Sequence, residues 1–218
     1  MSIGFRTANC GRYGHPEFTL RLAGRRIPGA ERMLLSYLEV AVARGTRFAA
    51  KDRVQFGWRT LRVVARADGS LGLQERIDDA TWGDTLDRAM HDLWYQREVA
   101  DSLRLVHRMA FPRQEQVAMA SPCALRADRW MLTRLRTDGS FSGWSIACVE
   151  DHDHGERSYP TLTEVAARLP CLTQFFALPV GTSVLVVCEG RLRAHVWLDG
   201  APITPAPRSY LDVLNAAA

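Results

Sequence analysis

The chain has a single lysine, Lys51, among its 218 residues, no Cys-x-x-Cys pair and no Gly-x-Ser-x-Gly elbow. It also lacks a phosphate-binding glycine loop and any apolar run near the ~20 residues that a bilayer span requires. Each absence removes a class of function. No membrane segment is expected, and no nucleotide cofactor. Ser142 with His152 or His154 would be a triad without a third member, so serine hydrolysis is not expected either. The opening stretch, MSIGFRTANCGRYG, has no apolar core, which predicts no secretory leader and a cytoplasmic location. Five cysteines, Cys10, Cys123, Cys148, Cys171 and Cys188, are odd in number and scattered. They are expected to be reduced thiols, mostly serving as small buried apolar side chains. A catalytic thiol needs a base and an electropositive niche, and neither is legible around them.

What is present is the composition of a folded protein, with 47% hydrophobic and 24% charged residues, long enough for one large or two small domains. The net charge of +4 is unevenly spread. Residues 6–66 hold thirteen basic and four acidic side chains, whereas residues 67–101 hold three and nine. Arginine forks suit carboxylate or phosphate partners, yet no nucleic-acid motif accompanies them, so no nucleic-acid partner is expected.

Along the chain, Gly14-His15-Pro16-Glu17 reads as a turn into a strand, Phe18 to Leu22, in which apolar and polar residues alternate. Pro28 sits where a first helical turn tolerates proline. From Ala30 to Arg44, Met33, Leu34, Tyr37, Leu38, Ala41 and Val42 recur at helical spacing, and Gly45 is placed to end the helix. Val54 to Trp58, Leu61 to Ala65 and Leu71 to Ile77 predict an antiparallel meander with an Asp68-Gly69 turn. Thr81 or Asp84 can cap an acidic helix running to about Met109, with Leu86, Met90, Leu93, Trp94, Val99, Leu103 and Val106 on its apolar face. Val117 to Ala120 predicts a short strand, and Leu125 to Arg136 is either a helix entering a strand or a strand alone. Trp144 to Val149 reads as a strand and Thr161 as the start of a helix ended by Pro170. Val184 to Cys188 and Leu192 to Leu198 read as a hairpin. The proline-rich stretch from Ala201 to Arg208 is expected to be irregular, with a last half-turn at Tyr210 to Leu214. The expected fold class is α+β. It consists of two small modules, each a mostly antiparallel sheet with one or two helices packed on it, joined by the long acidic helix. The expected domains are residues 1–110 and 115–218.

Two resemblances add to this. Gly14-His15-Pro16-Glu17 and Gly45-Thr46-Arg47-Phe48 together resemble a bacterial domain-of-unknown-function family that begins with a Gly-His-Pro-Glu step. That family has no agreed chemistry to carry over, and His15 is expected to be a turn histidine bonded to nearby backbone. In the second half, Ser142-Gly143-Trp144 follows a turn, Glu150-Asp151 closes the next strand, and Pro179-Val180-Gly181 follows a helix. In order and spacing these resemble the bacterial immunity protein thirty-three family. Phe141 stands where that family usually has an acidic residue, and the family's acidic, Tyr-rich middle stretch is shortened here to HDHGERSY. The resemblance implies binding of a cognate toxin or effector protein, delivered by contact or by a type VI machine, and no catalysis.

Residues 150–156 are the densest polar cluster, with Glu150, Asp151, His152, Asp153, His154 and Glu156. One reading is a metal site, which would need three or four converging ligands, although neighbours in an extended loop point in different directions. Another is an acidic patch that meets arginine or lysine on a toxin, and a third is a solvated loop. The patch gives the partner-binding candidates Glu150, Asp151, Asp153 and Glu156. Trp144 joins them as a possible anchor, although a core role is its simpler reading. No cofactor and no resident metal is expected. The functional expectation is an immunity protein that covers a toxin's active site. The alternatives are an adaptor that loads an effector onto a secretion machine, or a metal-dependent enzyme using His15, Glu17 or the 150–156 cluster.

Overall fold

The structure, a computed structural model, describes residues 3–24, 27, 29–78 and 80–216, so Pro28 lies outside the described residues. It is an α+β fold with two six-stranded mixed sheets, and the chain divides into two compact units, Met1–Trp94 and Tyr95–Ala218.

In the first unit the strands β1 (Ile3–Arg6), β2 (Phe18–Leu22), β3 (Arg53–Phe56), β4 (Arg59–Ala65), β5 (Leu71–Arg76) and β6 (Trp82–Gly83) form one sheet. Its order is β1-β2-β5-β4-β3, with β6 on β5, and every pair is antiparallel except β2 with β5. Alternation explains β2, whose Phe18, Leu20 and Leu22 are buried while Arg21 faces solvent. The helix α1 (Ala30–Ala43) buries Leu34, Leu38 and Val42, one residue per turn, and leaves Met33 and Tyr37 exposed. Gly45 follows it at φ 95°, as a helix-ending glycine should. The meander forms as its Asp68-Gly69 turn predicts, with Gly69 at φ 77°.

The helix α2 spans Asp87–Ser102, shorter than expected at both ends. Its first turn is satisfied from the sheet, where the buried Glu75 carboxylate accepts the N–H groups of Arg88 (3.2 Å) and Ala89 (2.7 Å). Its end is set by Arg104, which takes the left-handed conformation (φ 59°) while Leu105 N–H returns to Ala100 O. That is the arrangement a glycine usually supplies, and with no glycine there the stop is hidden in the sequence.

In the second unit β7 (Val117–Ala120), β8 (Arg129–Arg134), β9 (Phe141–Cys148), β10 (Thr182–Glu189), β11 (Arg191–Leu198) and β12 (Ala201–Ile203) form the other sheet, ordered β12-β11-β10-β8-β9-β7. All its pairs are antiparallel except β7 with β9. Residues 122–126 form a 3-10 turn and β8 follows, which settles the ambiguous stretch from Leu125 to Arg136. The short helix α3 (Leu162–Arg168) is fixed by a capping box, in which Thr161 Oγ1 accepts Glu164 N–H and Glu164 accepts Thr161 N–H. Leu162, Val165, Leu172, Phe175 and Phe176 join Trp130, Leu132, Trp144, Ile146, Val184 and Val186 in the core. Ala201–Ile203, expected to be irregular, pairs with β11, and α4 (Tyr210–Ala216) closes the described chain.

Candidate functional site

Most of the motif residues turn out to hold backbone in place. Ser142-Gly143-Trp144 lies inside β9, and all three residues are buried. Gly143 has φ 88°, and a Cβ there would stand 2.5 Å from Leu135 O. Trp144 is fully buried and donates its indole N–H to Phe176 O (3.1 Å), so its contribution to any contact passes through the fold. Pro179-Val180-Gly181 leads into β10, where Gly181 (φ 88°) donates its N–H to Arg134 O (2.9 Å) and accepts Asp199 N–H (2.9 Å). The two motifs therefore meet at one residue. Arg134, the last residue of β8, is 3% exposed; its guanidinium donates to Ser142 O and stacks 5.2 Å from the centre of the Trp144 ring. Burial pushes its pKa down to about 10.

In the first unit, His15 and Glu17 are likewise engaged locally. A backbone N–H can only donate, so His15 Nε2 accepts from Phe48 N–H (3.0 Å), which leaves Nδ1–H to donate to Pro16 O (2.7 Å). The ring packs between Phe18 and Phe48. This links the Gly-His-Pro-Glu step to the Gly-x-x-Phe close. Glu17 accepts the Thr7 hydroxyl and Gly11 N–H (2.8 Å). Partial burial would raise its pKa, but the bonds from Thr7, Gly11 and Cys10 outweigh it and hold the carboxyl below its usual range.

The loop after β9 is different. Glu150, Asp151, Asp153 and Glu156 are all exposed, and none is held in an ion pair among the described residues. His152 and His154, two residues apart in this loop, bring their ring centres within 4.7 Å of each other. There they meet two cysteines. Cys123 Sγ lies 3.2 Å from His154 Nδ1, and one ligand atom from each of Cys123, Cys148, His152 and His154 lies within 4.8 Å of the others. These residues belong to three segments. Cys123 sits in the 3-10 turn after β7, Cys148 ends β9, and the histidines occupy the loop. The parallel pairing of β7 with β9 brings the first two together, and Ser121 holds them, its N–H bonding Ile146 O (3.1 Å) and its Oγ accepting Cys148 N–H (3.1 Å).

The cysteines are free thiols, as expected, but the expectation that no base lies beside them does not hold for this pair. Nothing in the spacing of Cys123 and Cys148 reveals it, because it depends on sheet pairing between segments far apart in sequence. Burial raises the Cys123 pKa, but hydrogen bonds from Ser121, His154, His152 and Cys148 outweigh it and bring the thiol down to about 6. Burial pushes the Cys148 thiol up. An open cavity of about 680 Å³ borders the group, lined among others by Cys123, Cys148, Glu150, His152, Arg126 and Arg168.

The fold is thus an α+β frame whose motif turns are internal fastenings, and the loop at residues 150–156 presents four exposed carboxylates. Residues 95–199 match the family model of the Imm33-like domain. The match speaks for a toxin-immunity protein in general; it names neither the toxin nor a secretion route. No curated protein and no solved structure matches the chain. No helix is long and apolar enough to cross a membrane among the described residues.

Proposed function

We propose that the chain is an immunity protein that binds a cognate bacterial toxin and covers its active site, with the 150–156 loop as the part that meets the toxin. The observation that carries this reading is the pairing of the Imm33-like match with four exposed carboxylates, held in no ion pair among the described residues, on a single loop of the matched segment. Exposed charges are available to a basic partner surface, where complementarity sets orientation and association rate. The contact-dependent or type VI route, and action in the cytoplasm, belong to the same proposal. The Gly-His-Pro-Glu unit either widens the interface or braces the fold.

The test is a tagged full-length chain recovered from its native cells, with mass spectrometry of the co-purifying protein. That protein is then expressed in a sensitive host with and without the chain. Growth arrest relieved by the chain supports the proposal. A co-purifying secretion-machine component with no relief of toxicity supports an adaptor instead.

A further inference from the structure

We infer that Cys123, Cys148, His152 and His154 are the four ligands of a structural zinc site. Two thiols and two imidazoles form a soft donor set that favours zinc over magnesium or calcium, which take oxygen. The distances fit. Tetrahedral zinc with Zn–S of about 2.3 Å and Zn–N of about 2.0–2.1 Å sets ligand atoms about 3.3–3.8 Å apart. Cys123 Sγ and His154 Nδ1 are already 3.2 Å apart, and no ligand pair exceeds 4.8 Å. The remaining difference of about 1 Å is within reach of side-chain rotation, and His152 is the exposed member of the group.

The surroundings also suit thiolate ligands. Glu150 N–H points at Cys148 Sγ (3.4 Å), and the Ser121 hydroxyl lies 3.5 Å from Cys123 Sγ while accepting Cys148 N–H. Hydrogen bonds of this kind stabilise sulfur-bound metal and orient the ligands. The composition of the group matters as well. The ligand atoms of His152 and His154 converge on the two thiols, whereas Asp151 and Asp153 are exposed and stand outside the group, so the carboxylates are not needed as ligands. Four protein ligands leave no open position, which makes the role structural. The ion would tie the loop to the end of β9 and to the turn after β7. Zinc binding stands independently of the partner proposal; only the consequence that it fixes the toxin-facing carboxylates rests on that reading.

The full chain, purified with reductant in the presence of zinc and passed into metal-free buffer, is expected to retain about one zinc per chain by elemental analysis. Cobalt(II) added to the stripped protein is expected to give tetrahedral d–d bands together with thiolate-to-cobalt charge transfer. His152→Ala and His154→Ala, which change residues that are not fully buried, should each weaken zinc at least about tenfold, since loss of even an outer partner costs about that much. Cys171→Ser should retain it. The inference is overturned if the wild-type chain retains no zinc, or if its cobalt spectrum lacks thiolate charge transfer. It is overturned equally if the double histidine variant, folded by circular dichroism, holds zinc as tightly as the wild type. No toxin is used, so failure here leaves the immunity reading untouched, and failure of that reading leaves this one standing.

Discussion

At Gly143 the backbone is in the left-handed region, inside a strand, with Leu135 O where a side chain would begin. Gly143→Ala combines the strain of that conformation with a backbone clash, and each alone costs about 1–3 kcal/mol. The variant is expected to lose about 3 kcal/mol or more in urea unfolding, which is large against the 5–15 kcal/mol of a typical domain. His15 makes a different kind of fastening. Its loss would leave Phe48 N–H unsatisfied and a gap beside Phe18, so His15→Ala is expected to cost about 2–3 kcal/mol by the same measurement. His15→Gln, able to accept one of those bonds, should recover part of this. The turn role of His15 could be read from the sequence, because a histidine between glycine and proline has backbone close at hand. The role of Arg134 could not, since nothing local marks an arginine that is fully buried and serves two distant turns.

At the scale of elements, periodicity located most helices and strands, and the failures have identifiable causes. β1 and β12 are short strands at the sheet edges that bury none of their residues, so neither carries the apolar face by which a strand is recognised. β8 is ambiguous in sequence because its inward positions are Trp130, Leu132 and Arg134, and a charge on the buried face breaks the apolar pattern. The start of α2 lies later than the sequence suggests because its partners come from other elements and not from a local cap. Glu75 satisfies its first N–H groups, and Asp87 reaches out to accept Ala23 N–H and Gly24 N–H. Partial burial would raise the Asp87 pKa, but those N–H groups and Thr85 outweigh it and lower it. Its folded-state pKa therefore lies below that of the unfolded chain. The stabilisation is complete above the ordinary carboxylate range and is lost as pH falls through the folded value. Thermal melts of wild type and Asp87→Asn should differ by a constant amount above about pH 5 and converge in stronger acid. A gap that persists at the acid end would mean that Asp87 acts by packing and not by charge.

For the whole molecule, the balance of charge decides what the acidic loop can do. The chain carries a net charge of +4, so its overall field does not attract a basic toxin. At physiological salt, however, charges are screened over about 8 Å, and an approaching surface senses the nearest patch more than the net total. Glu150, Asp151, Asp153 and Glu156 together supply such a patch, and only contact with that face would use it. Reversing two of the charges, Asp151→Lys with Asp153→Lys, is therefore expected to slow association with the cognate toxin about tenfold or more at low salt and to flatten its salt dependence. Folding stability should stay within about 0.5 kcal/mol, because both side chains are exposed. The two readouts separate the explanations. An unchanged association rate and salt slope, with the toxin still bound, would place the interface on another face of the molecule. A slower rate with lost stability would instead mean that the loop's carboxylates support the fold.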